Sequence, residues 1–235
     1  MRANTLGSAL IDAASAGGVG VTFWTDPGQS TSHAYDELLT NAYALAAALE
    51  SRGVKRGDAV AIVLTTGPDF YAAFFGVSLL GAVPTALYPP ARLGRVDEWK
   101  TRTAKMIMAV DATMVITERR LMPLLGSPVR VAAPRFGCMT AQNLQVEGYG
   151  LRPRATAQSE LAAIQFSSGS TGDSKPVALS HENMLSNARA ILDSLPVPHA
   201  ERSGVSWLPL YHDMGLVGCL LSAVVSQSPL TLMGP

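Results

Sequence analysis

The chain has 235 residues, of which 48% are hydrophobic and 15% are charged. This composition is typical of a globular protein with a sizeable core and excludes an intrinsically disordered chain. Eighteen basic residues balance eighteen acidic ones, so the overall charge gives no reason to expect nucleic acid or an anionic membrane as a partner. Cys138 and Cys219 lie far apart without metal-ligand spacing, and we expect reduced, buried thiols in a cytoplasmic protein.

The apolar stretches of the chain do not predict export or membrane insertion. Near the N-terminus, Asn4, Ser8 and Asp12 interrupt the apolar residues, so no secretory signal peptide is predicted. The longest apolar stretch, residues 72–87, is shorter than a bilayer span and contains two glycines and a proline. It predicts a buried helix that runs into a strand. We therefore expect a soluble, cytoplasmic protein without a transmembrane segment.

Helix-like and strand-like segments alternate along the first half of the chain. Apolar residues at helical spacing predict a helix over 34–52, and a continuous apolar run within 57–69 predicts a strand that is buried on both faces. The same rhythm continues with a helix over 69–80, a strand over 82–88, a helix over 98–110, a strand over 113–117 and a helix over 118–125. This alternation predicts an α/β fold built from βαβ layers with mostly parallel sheets.

Residues 133–160 break this rhythm with prolines, glycines and mixed polar residues, which predicts a loop region or a seam between two lobes. After it we predict a strand over 161–166, an extended segment over 177–179 and a helix over 182–195. Between the two extended segments lies SSGSTGDSK, residues 167–175. Residues of this kind are common in solvated turns. In an open α/β sheet, however, ligands bind at the carboxyl ends of the strands, so this position favours an anion site.

Three common motifs do not fit this stretch. The dinucleotide-binding pattern lacks its first close pair of glycines, because Gly169 and Gly172 stand three positions apart. The Walker loop needs a glycine immediately before its lysine, whereas Ser174 precedes Lys175. A hydrolase nucleophile elbow has the pattern G-x-S-x-G, which none of the serines in the stretch matches. The sequence therefore supports no serine nucleophile here.

The stretch resembles the phosphate-binding loop of adenylate-forming enzymes, whose pattern is roughly (S/T)-S-G-(S/T)-T-G-x-P-K-G. The matching positions are Ser168, Gly169, Ser170, Thr171, Gly172 and Lys175. Two positions depart from the pattern, because Ser174 replaces the usual proline and Pro176 replaces the usual glycine. Since proline lacks a backbone N–H and has a fixed φ, we expect the exit of this loop to differ from that of a glycine-containing loop.

A second stretch narrows the family. SWLPLYHDMGLVG, residues 206–218, resembles the signature of fatty acyl-AMP ligases and their acyl-CoA ligase relatives, and it lies at the expected distance after the loop. GVKRGDAVAIVL and FYAAFFGVSLLGAVPTALYPPARLGR resemble earlier parts of that family more weakly. The resemblance spans nearly the whole chain. It implies the N-terminal portion of the large domain of an adenylate-forming enzyme, with residues 1–235 as an incomplete AMP-binding domain and no C-terminal domain.

The resemblance implies an enzyme that uses ATP and Mg²⁺ to convert a fatty acid into an acyl-adenylate and pyrophosphate. The acyl group then passes to an acyl-carrier-protein or CoA thiol, and polyketide or non-ribosomal peptide synthase modules are further candidate partners. By the same resemblance, Ser167 joins the matching loop residues in binding the ATP phosphates. Lys175 would be catalytic, because its positive charge stabilises the leaving pyrophosphate.

The second stretch is expected to contribute substrate-binding residues, by the same resemblance. These residues are Trp207, Tyr211, His212 and Gly215. His212 would be catalytic through positioning of the reacting carboxylate, and proton transfer is not favoured. No protein ligands for a metal ion are predicted.

Taken by themselves, the residues leave other interpretations open. A histidine beside an aspartate, as at His212 and Asp213, is commonly a structural hydrogen-bonding pair. The apolar run from Leu216 to Val225 fits the wall of an acyl tunnel and, equally well, an ordinary buried helix. The adenine, ribose, hinge and catalytic-lysine motifs of the family are expected beyond Pro235, so the chain alone is expected to be inactive. A short non-catalytic nucleotide- or acyl-binding protein is the alternative, and a hydrolase using the histidine and aspartate is a third.

Overall fold

The computed structural model describes residues 3–26, 28–90, 93–144, 156–167 and 174–234. Within these ranges, helices pack against two β-sheets, one of six strands and one of four. The α-helices are α1 (Leu6–Ala16), α2 (Tyr35–Ser51), α3 (Pro68–Leu79), α4 (Val96–Ala109), α5 (Met122–Ala132), α6 (His181–Ser194) and α7 (Ser222–Val225). A π-helix, Met214–Leu221, leads directly into α7. Short 3₁₀ turns lie at Leu93–Arg95, Ala141–Leu144 and His199–Glu201.

The strands lie mainly parallel, which confirms the predicted α/β fold class. They are β1 (Gly20–Asp26), β2 (Gln29–Ala34), β3 (Ala59–Val63), β4 (Val83–Ala86), β5 (Met114–Thr117), β6 (Cys138–Thr140), β7 (Leu161–Ser167), β8 (Lys175–Ser180), β9 (Gly204–Ser206) and β10 (Leu230–Met233). The pairs β1–β2 and β7–β8 are antiparallel. Most of the predicted helices and strands are confirmed, with bounds that differ by a few residues.

The helix predicted over 118–125 is wrong in its bounds. The observed α5 begins at Met122 and continues to Ala132. Pro123 lies in the first turn of α5, where a backbone N–H would have no acceptor within the helix. Proline therefore costs no helical hydrogen bond at this position. Pro128 lies inside the helix and is buried. Its ring removes one helical hydrogen bond, and burial of the ring offsets part of this cost.

The six-stranded sheet has the order β6-β5-β3-β4-β7-β8. Its central strand β3 is buried on both faces, as its unbroken apolar sequence predicts. Val60 and Ile62 face a first core, which also receives side chains from α1, α2, α3 and α6. Ala61 and Val63 face a second core, which is formed with α4 and α5. Helices therefore cover both faces of this sheet.

The four-stranded sheet has the order β2-β1-β10-β9 and joins the two ends of the described chain. Val21 on β1 pairs with Leu230 on β10, about two hundred positions later. Both side chains belong to the same first core as the central strand β3. The first core therefore links the two sheets.

The remaining predictions about organisation are met in part. Strand β7 pairs with β4, so strands from both sides of residues 133–160 share one sheet. Residues 145–155 lie outside the described ranges, and the seam between lobes stays a prediction. Cys138 and Cys219 are free, as expected, although both are half-buried instead of buried. Among the described residues, no helix combines the length and the apolar character that a membrane crossing requires.

Candidate active site

A cavity of about 640 Å³ lies beside the β7–β8 hairpin, between this hairpin, α6 and the segment that leads into the π-helix. The hairpin contributes Gln165, Phe166, Ser167, Val177 and Leu179. The other wall consists of Asn183, Met184, Asn187, Tyr211, His212, Asp213 and Val217. Apolar and hydrogen-bonding side chains therefore line the same space, which is typical of small-molecule sites.

Lys175 lies on the strand face that carries two cavity-lining residues, but it is not itself among the described residues that line the cavity. Gln165 pairs with Val177, and Ser167 pairs with Lys175. Successive residues of a strand point to opposite faces, so Lys175 shares its face with Val177 and Leu179, which line the cavity. The Ser167 hydroxyl donates a hydrogen bond of 3.4 Å to the Lys175 carbonyl. The Lys175 side chain is exposed, and this residue begins β8.

The predicted phosphate-binding residues are divided between described and undescribed parts of the chain. Ser168, Gly169, Ser170, Thr171 and Gly172 lie outside the described residues. Ser167 lines the cavity at the carboxyl end of β7, and Lys175 stands at the start of the returning strand. Ser167 therefore borders the cavity immediately before the undescribed residues, and β8 begins at Lys175 shortly after them.

Helix α6 starts immediately after β8 because Ser180 caps it. The Ser180 hydroxyl accepts the Asn183 backbone N–H at 3.1 Å, and Asn183 Oδ1 accepts the Ser180 backbone N–H at 3.0 Å. This reciprocal cap fixes the start of α6 relative to the hairpin. Asn187 follows Asn183 by one turn, so the two amides lie on the same face of the helix, and both line the cavity. Our sequence analysis missed both residues, although their spacing of four was the available signal.

His181, the first residue of α6, ties the N-terminal helix to this region. Its Nδ1 atom accepts a hydrogen bond from the backbone N–H of Leu6 at 3.1 Å. This N–H belongs to the first turn of α1, where no helical partner exists. Burial lowers the pKa of His181, while the nearby Glu160 carboxylate opposes this shift. The imidazole is thus held neutral, with Nδ1 as a hydrogen-bond acceptor.

The predicted pair of His212 and Asp213 lies on the cavity wall. His212 Nδ1 is 2.5 Å from Asp213 Oδ1, and the two side chains are 65% and 72% exposed. Asp213 Oδ1 also accepts the backbone N–H of Met214 at 2.7 Å. The carboxylate therefore caps the π-helix and orients the imidazole at the same time. Tyr211, the preceding residue, lines the cavity as well, and burial raises its pKa.

Two other predicted substrate-binding residues occupy different surroundings. Trp207 is 66% exposed and is not among the described residues that line the cavity. Gly215 is buried, and a Cβ atom there would lie 2.3 Å from the Pro209 carbonyl oxygen. Glycine at this position lets the π-helix approach the chain segment that carries Tyr211 and His212. The roles assigned to Trp207 and Gly215 stay predictions.

A second polar cluster lies at the carboxyl ends of β3 and β5. The Thr65 hydroxyl donates to Glu118 Oε2 at 2.9 Å and accepts from Arg120 Nη2 at 3.0 Å, and Arg120 also bonds to the Glu118 carboxylate. Nearby, the Gln142 amide donates to Asp69. Burial, and secondarily the charge of Glu118, raises the pKa of Asp69. In this cluster, the polar side chains mainly form hydrogen bonds with one another.

A family model described as AMP-binding enzyme matches residues 12–235. The chain belongs to this family. Its fold, a mixed α/β structure with mainly parallel sheets, is that of the adenylate-forming enzymes.

Individual relatives point in the same direction. The chain is 32% identical to a protein from Caulobacter vibrioides named as an acyl-CoA synthetase, over 97% of this chain and 40% of the relative. It is 30% identical to the long-chain-fatty-acid–AMP ligase FadD32 of Mycobacterium marinum, over 76% of this chain and 28% of the relative.

Among solved structures, a fatty acyl-adenylate ligase from L. pneumophila in complex with acyl adenylate and pyrophosphate is similar, with 25% identity and a TM-score of 0.84. That match covers 100% of this chain and 40% of the ligase. The chain thus spans about two fifths of the length of these relatives.

Proposed function

We propose that this chain supplies the phosphate loop and one wall of the acyl site of an enzyme that activates fatty acids as acyl-adenylates. One observation carries the proposal. The cavity lies on the hairpin face that bears Lys175, with His212 on the opposite wall. The cation proposed to bind phosphate therefore shares a strand face with residues of one wall, and the residue proposed to orient a carboxylate lies on the other wall. The relative solved with acyl adenylate and pyrophosphate supports the same assignment.

In the proposed reaction, a carboxylate oxygen of the fatty acid attacks the α-phosphorus of ATP. A phosphorus–oxygen bond forms to the acyl group, the bond to the bridging oxygen breaks, and pyrophosphate leaves with that oxygen. Negative charge accumulates on the leaving group, so donors placed around it in advance stabilise the transition state. Ser167 and Lys175, together with the loop residues between them, would supply these donors. Lys175 contributes a compact positive charge.

His212 is proposed to position the reacting carboxylate. Asp213 holds its imidazole through Nδ1, which leaves Nε2 available to a ligand in the cavity. Apolar side chains from three elements, Phe166, Met184 and Val217, offer surface to an acyl chain in the same cavity.

The remaining components of the reaction are proposed by family resemblance. A fatty acid is the proposed substrate, ATP the cofactor, and an acyl-carrier-protein or CoA thiol the acceptor. Mg²⁺ would accompany the ATP phosphates. The described part of the chain contains no cluster of three or more acidic, histidine or cysteine side chains suited to a metal ion, so we derive no step through a protein-held metal. Free cysteines accord with a reducing compartment, and a cytoplasmic location is proposed on that ground.

Binding and turnover should be measured separately, because the chain spans only about two fifths of the length of its relatives. The purified chain is titrated with a long-chain fatty acid in a calorimeter, and then incubated with ATP, Mg²⁺ and the same acid. We expect fatty-acid binding without multiple turnover to acyl-AMP, as judged by mass spectrometry. Adding a polypeptide that covers the rest of a relative's length should restore fatty-acid-dependent ATP–pyrophosphate exchange. Absence of fatty-acid binding would contradict the proposed acyl site.

A further inference from the structure

Tyr88 connects the second core of the molecule to the wall of the cavity. It lies two residues after β4 and packs against the second core, on the α4 side of the sheet. Tyr211 lines the cavity and packs against the first core, on the other side. The two ring centroids are 6.4 Å apart with an interplanar angle of 59°. Aromatic pairs favour tilted arrangements at this separation. Tyr88 therefore stands directly behind one wall of the cavity.

Two side chains of α4 hold Tyr88 in place. The Trp99 indole N–H donates to the Tyr88 carbonyl oxygen at 2.9 Å, and Trp99 itself is 6% exposed. Arg102 Nη1 lies 3.5 Å from the Tyr88 hydroxyl. Trp99 and Arg102 are three positions apart, so they share one face of the helix. Contacts at the backbone and at the tip of the ring together restrict the orientation of Tyr88.

Tyr211 depends more on its neighbours for its position. It lies in the turn between β9 and the π-helix, outside any helix or strand. Its backbone is fixed nearby, because the His212 N–H donates to the Pro209 carbonyl at 3.1 Å. Its ring, however, takes its position from the groups that pack against it, and Tyr88 is one of these. Moving or removing the Tyr88 ring frees the Tyr211 ring to tilt away from the cavity.

We infer that Tyr88 is a positioning residue that sets the width of the cavity at Tyr211 and thereby the length of acyl chain that binds. This inference rests on the proposed function, because it takes the ligand to be an acyl chain. Replacing Tyr88 by leucine removes the ring behind Tyr211, so additional methylenes can enter. If Tyr88 served only to anchor α4, the same replacement would weaken binding of all chain lengths alike.

The test is a calorimetric titration of the full chain with saturated fatty acids from about eight to about eighteen carbons. In the native chain, affinity should rise by about fourfold per buried methylene and then reach a plateau. Tyr88→Leu should move this plateau to acids longer by about two carbons, with the affinities of short acids changed by less than about twofold. Tyr88→Phe keeps the ring and should keep the native plateau. Tyr43→Leu, at a half-buried tyrosine on α2, is the matched control.

Two failures of the test can be told apart. If the native chain binds acids of different length and Tyr88→Leu gives a parallel profile, the positioning role is wrong and the proposed function stands. If the native chain binds none of the acids, the proposed function itself is wrong and this inference falls with it. Should Tyr88→Leu fail to fold, Tyr211→Leu opens the same wall directly and must shift the plateau in the same direction. An unshifted plateau in that variant also overturns the inference.

Discussion

The carboxyl edge of the six-stranded sheet has two halves that differ in what their polar side chains contact. At the ends of β3 and β5, Thr65, Glu118 and Arg120 bond to one another. At the end of β7, a cavity of about 640 Å³ opens between the hairpin, α6 and the turn at Tyr211. The chain leaves β3 and β5 toward opposite faces, which in open α/β sheets is where ligand crevices are usual. At the ends of β3 and β5, the polar groups already bond to one another and leave few donors or acceptors for a ligand. A crevice at this position of the sheet is therefore not sufficient for a binding site.

The largest effect should come from the cation on the open half. Lys175→Ala is expected to slow adenylation by about 30- to 1000-fold, or about 2 to 4 kcal/mol, because the lysine charge that would stabilise the leaving pyrophosphate is lost. Fatty-acid-dependent ATP–pyrophosphate exchange is measured on a polypeptide of full family length that carries this chain. Lys55→Ala, an exposed lysine near the amino end of β3, should leave the rate unchanged. An unaltered rate in a folded Lys175→Ala protein would sink the phosphate-loop assignment.

The next effect concerns the backbone that shapes the open half. Gly215→Ala should lower the free energy of unfolding by about 1 to 3 kcal/mol, because the new Cβ would meet the Pro209 carbonyl oxygen at 2.3 Å. The control is Gly218→Ala in the same π-helix, where the nearest atom would be Met214 Sδ at 3.5 Å. That variant should be tolerated. The free energy of unfolding of both variants is measured with a denaturant. Equal stability of the two variants would show that the space between Gly215 and the Pro209 carbonyl accommodates a methyl group.

A smaller effect is expected on the closed half. Thr65→Val removes the hydroxyl that bonds to both Glu118 and Arg120, and should cost about 1 kcal/mol of stability. Because this half is proposed to be structural, fatty-acid affinity should stay within about twofold of the native value. Thr101→Val on α4, whose hydroxyl bonds within its own helix, is the control for the substitution. A selective loss of fatty-acid binding in Thr65→Val would mean that the closed half also serves the ligand.

The smallest effect is a dependence of stability on pH. The pKa of His181 is lowered from 6.5 in the folded chain, so the unfolded chain binds a proton more readily. Stability from this residue is therefore present above pH 6.5 and is lost as the pH falls below it. Protonation would also oppose the hydrogen bond from Leu6 to Nδ1. Thermal unfolding should be measured across this pH range. The dependence of stability on pH should be weaker in His181→Gln than in the native chain, and unchanged in His199→Gln. An equal slope in all three proteins would argue against His181 as its source.

Much of the central sheet could be predicted from the sequence because its strands carry local signals. A strand buried on both faces, such as β3, is an unbroken apolar run, and the next helix, α3, begins with a proline and an aspartate. No comparable signal marks the second sheet. Strand β2 is mostly exposed and rich in serine and threonine, and β1 pairs with a strand about two hundred positions away. Neither β1 nor β2 could therefore be predicted.

The candidate site could be predicted only to the level of its motifs. The stretches around Lys175 and His212 were found because their residue types and spacing resemble those of a family. Asn187 lies outside every stretch that resembles the family, and no role was assigned to Asn183; their place on the cavity wall follows from the cap that starts α6 at Ser180. Tyr88 lies within a stretch that resembles the family weakly, but its role was missed because its contact with Tyr211 joins segments that pack against different cores. Long-range packing of this kind leaves no periodic pattern in either segment.

The pairing of β1 with β10 has a consequence for the order in which the molecule folds. Strand β1 is made early in synthesis, yet its parallel partner at Leu230 is made about two hundred residues later. Loop closure over such a distance carries a large entropic cost, and sheets with distant partners fold slowly. Until β10 emerges, β1 has no partner on the side away from β2, while the local elements around β3, β4 and β5 already have partners. The six-stranded sheet should therefore assemble first, and the four-stranded sheet should close the structure last.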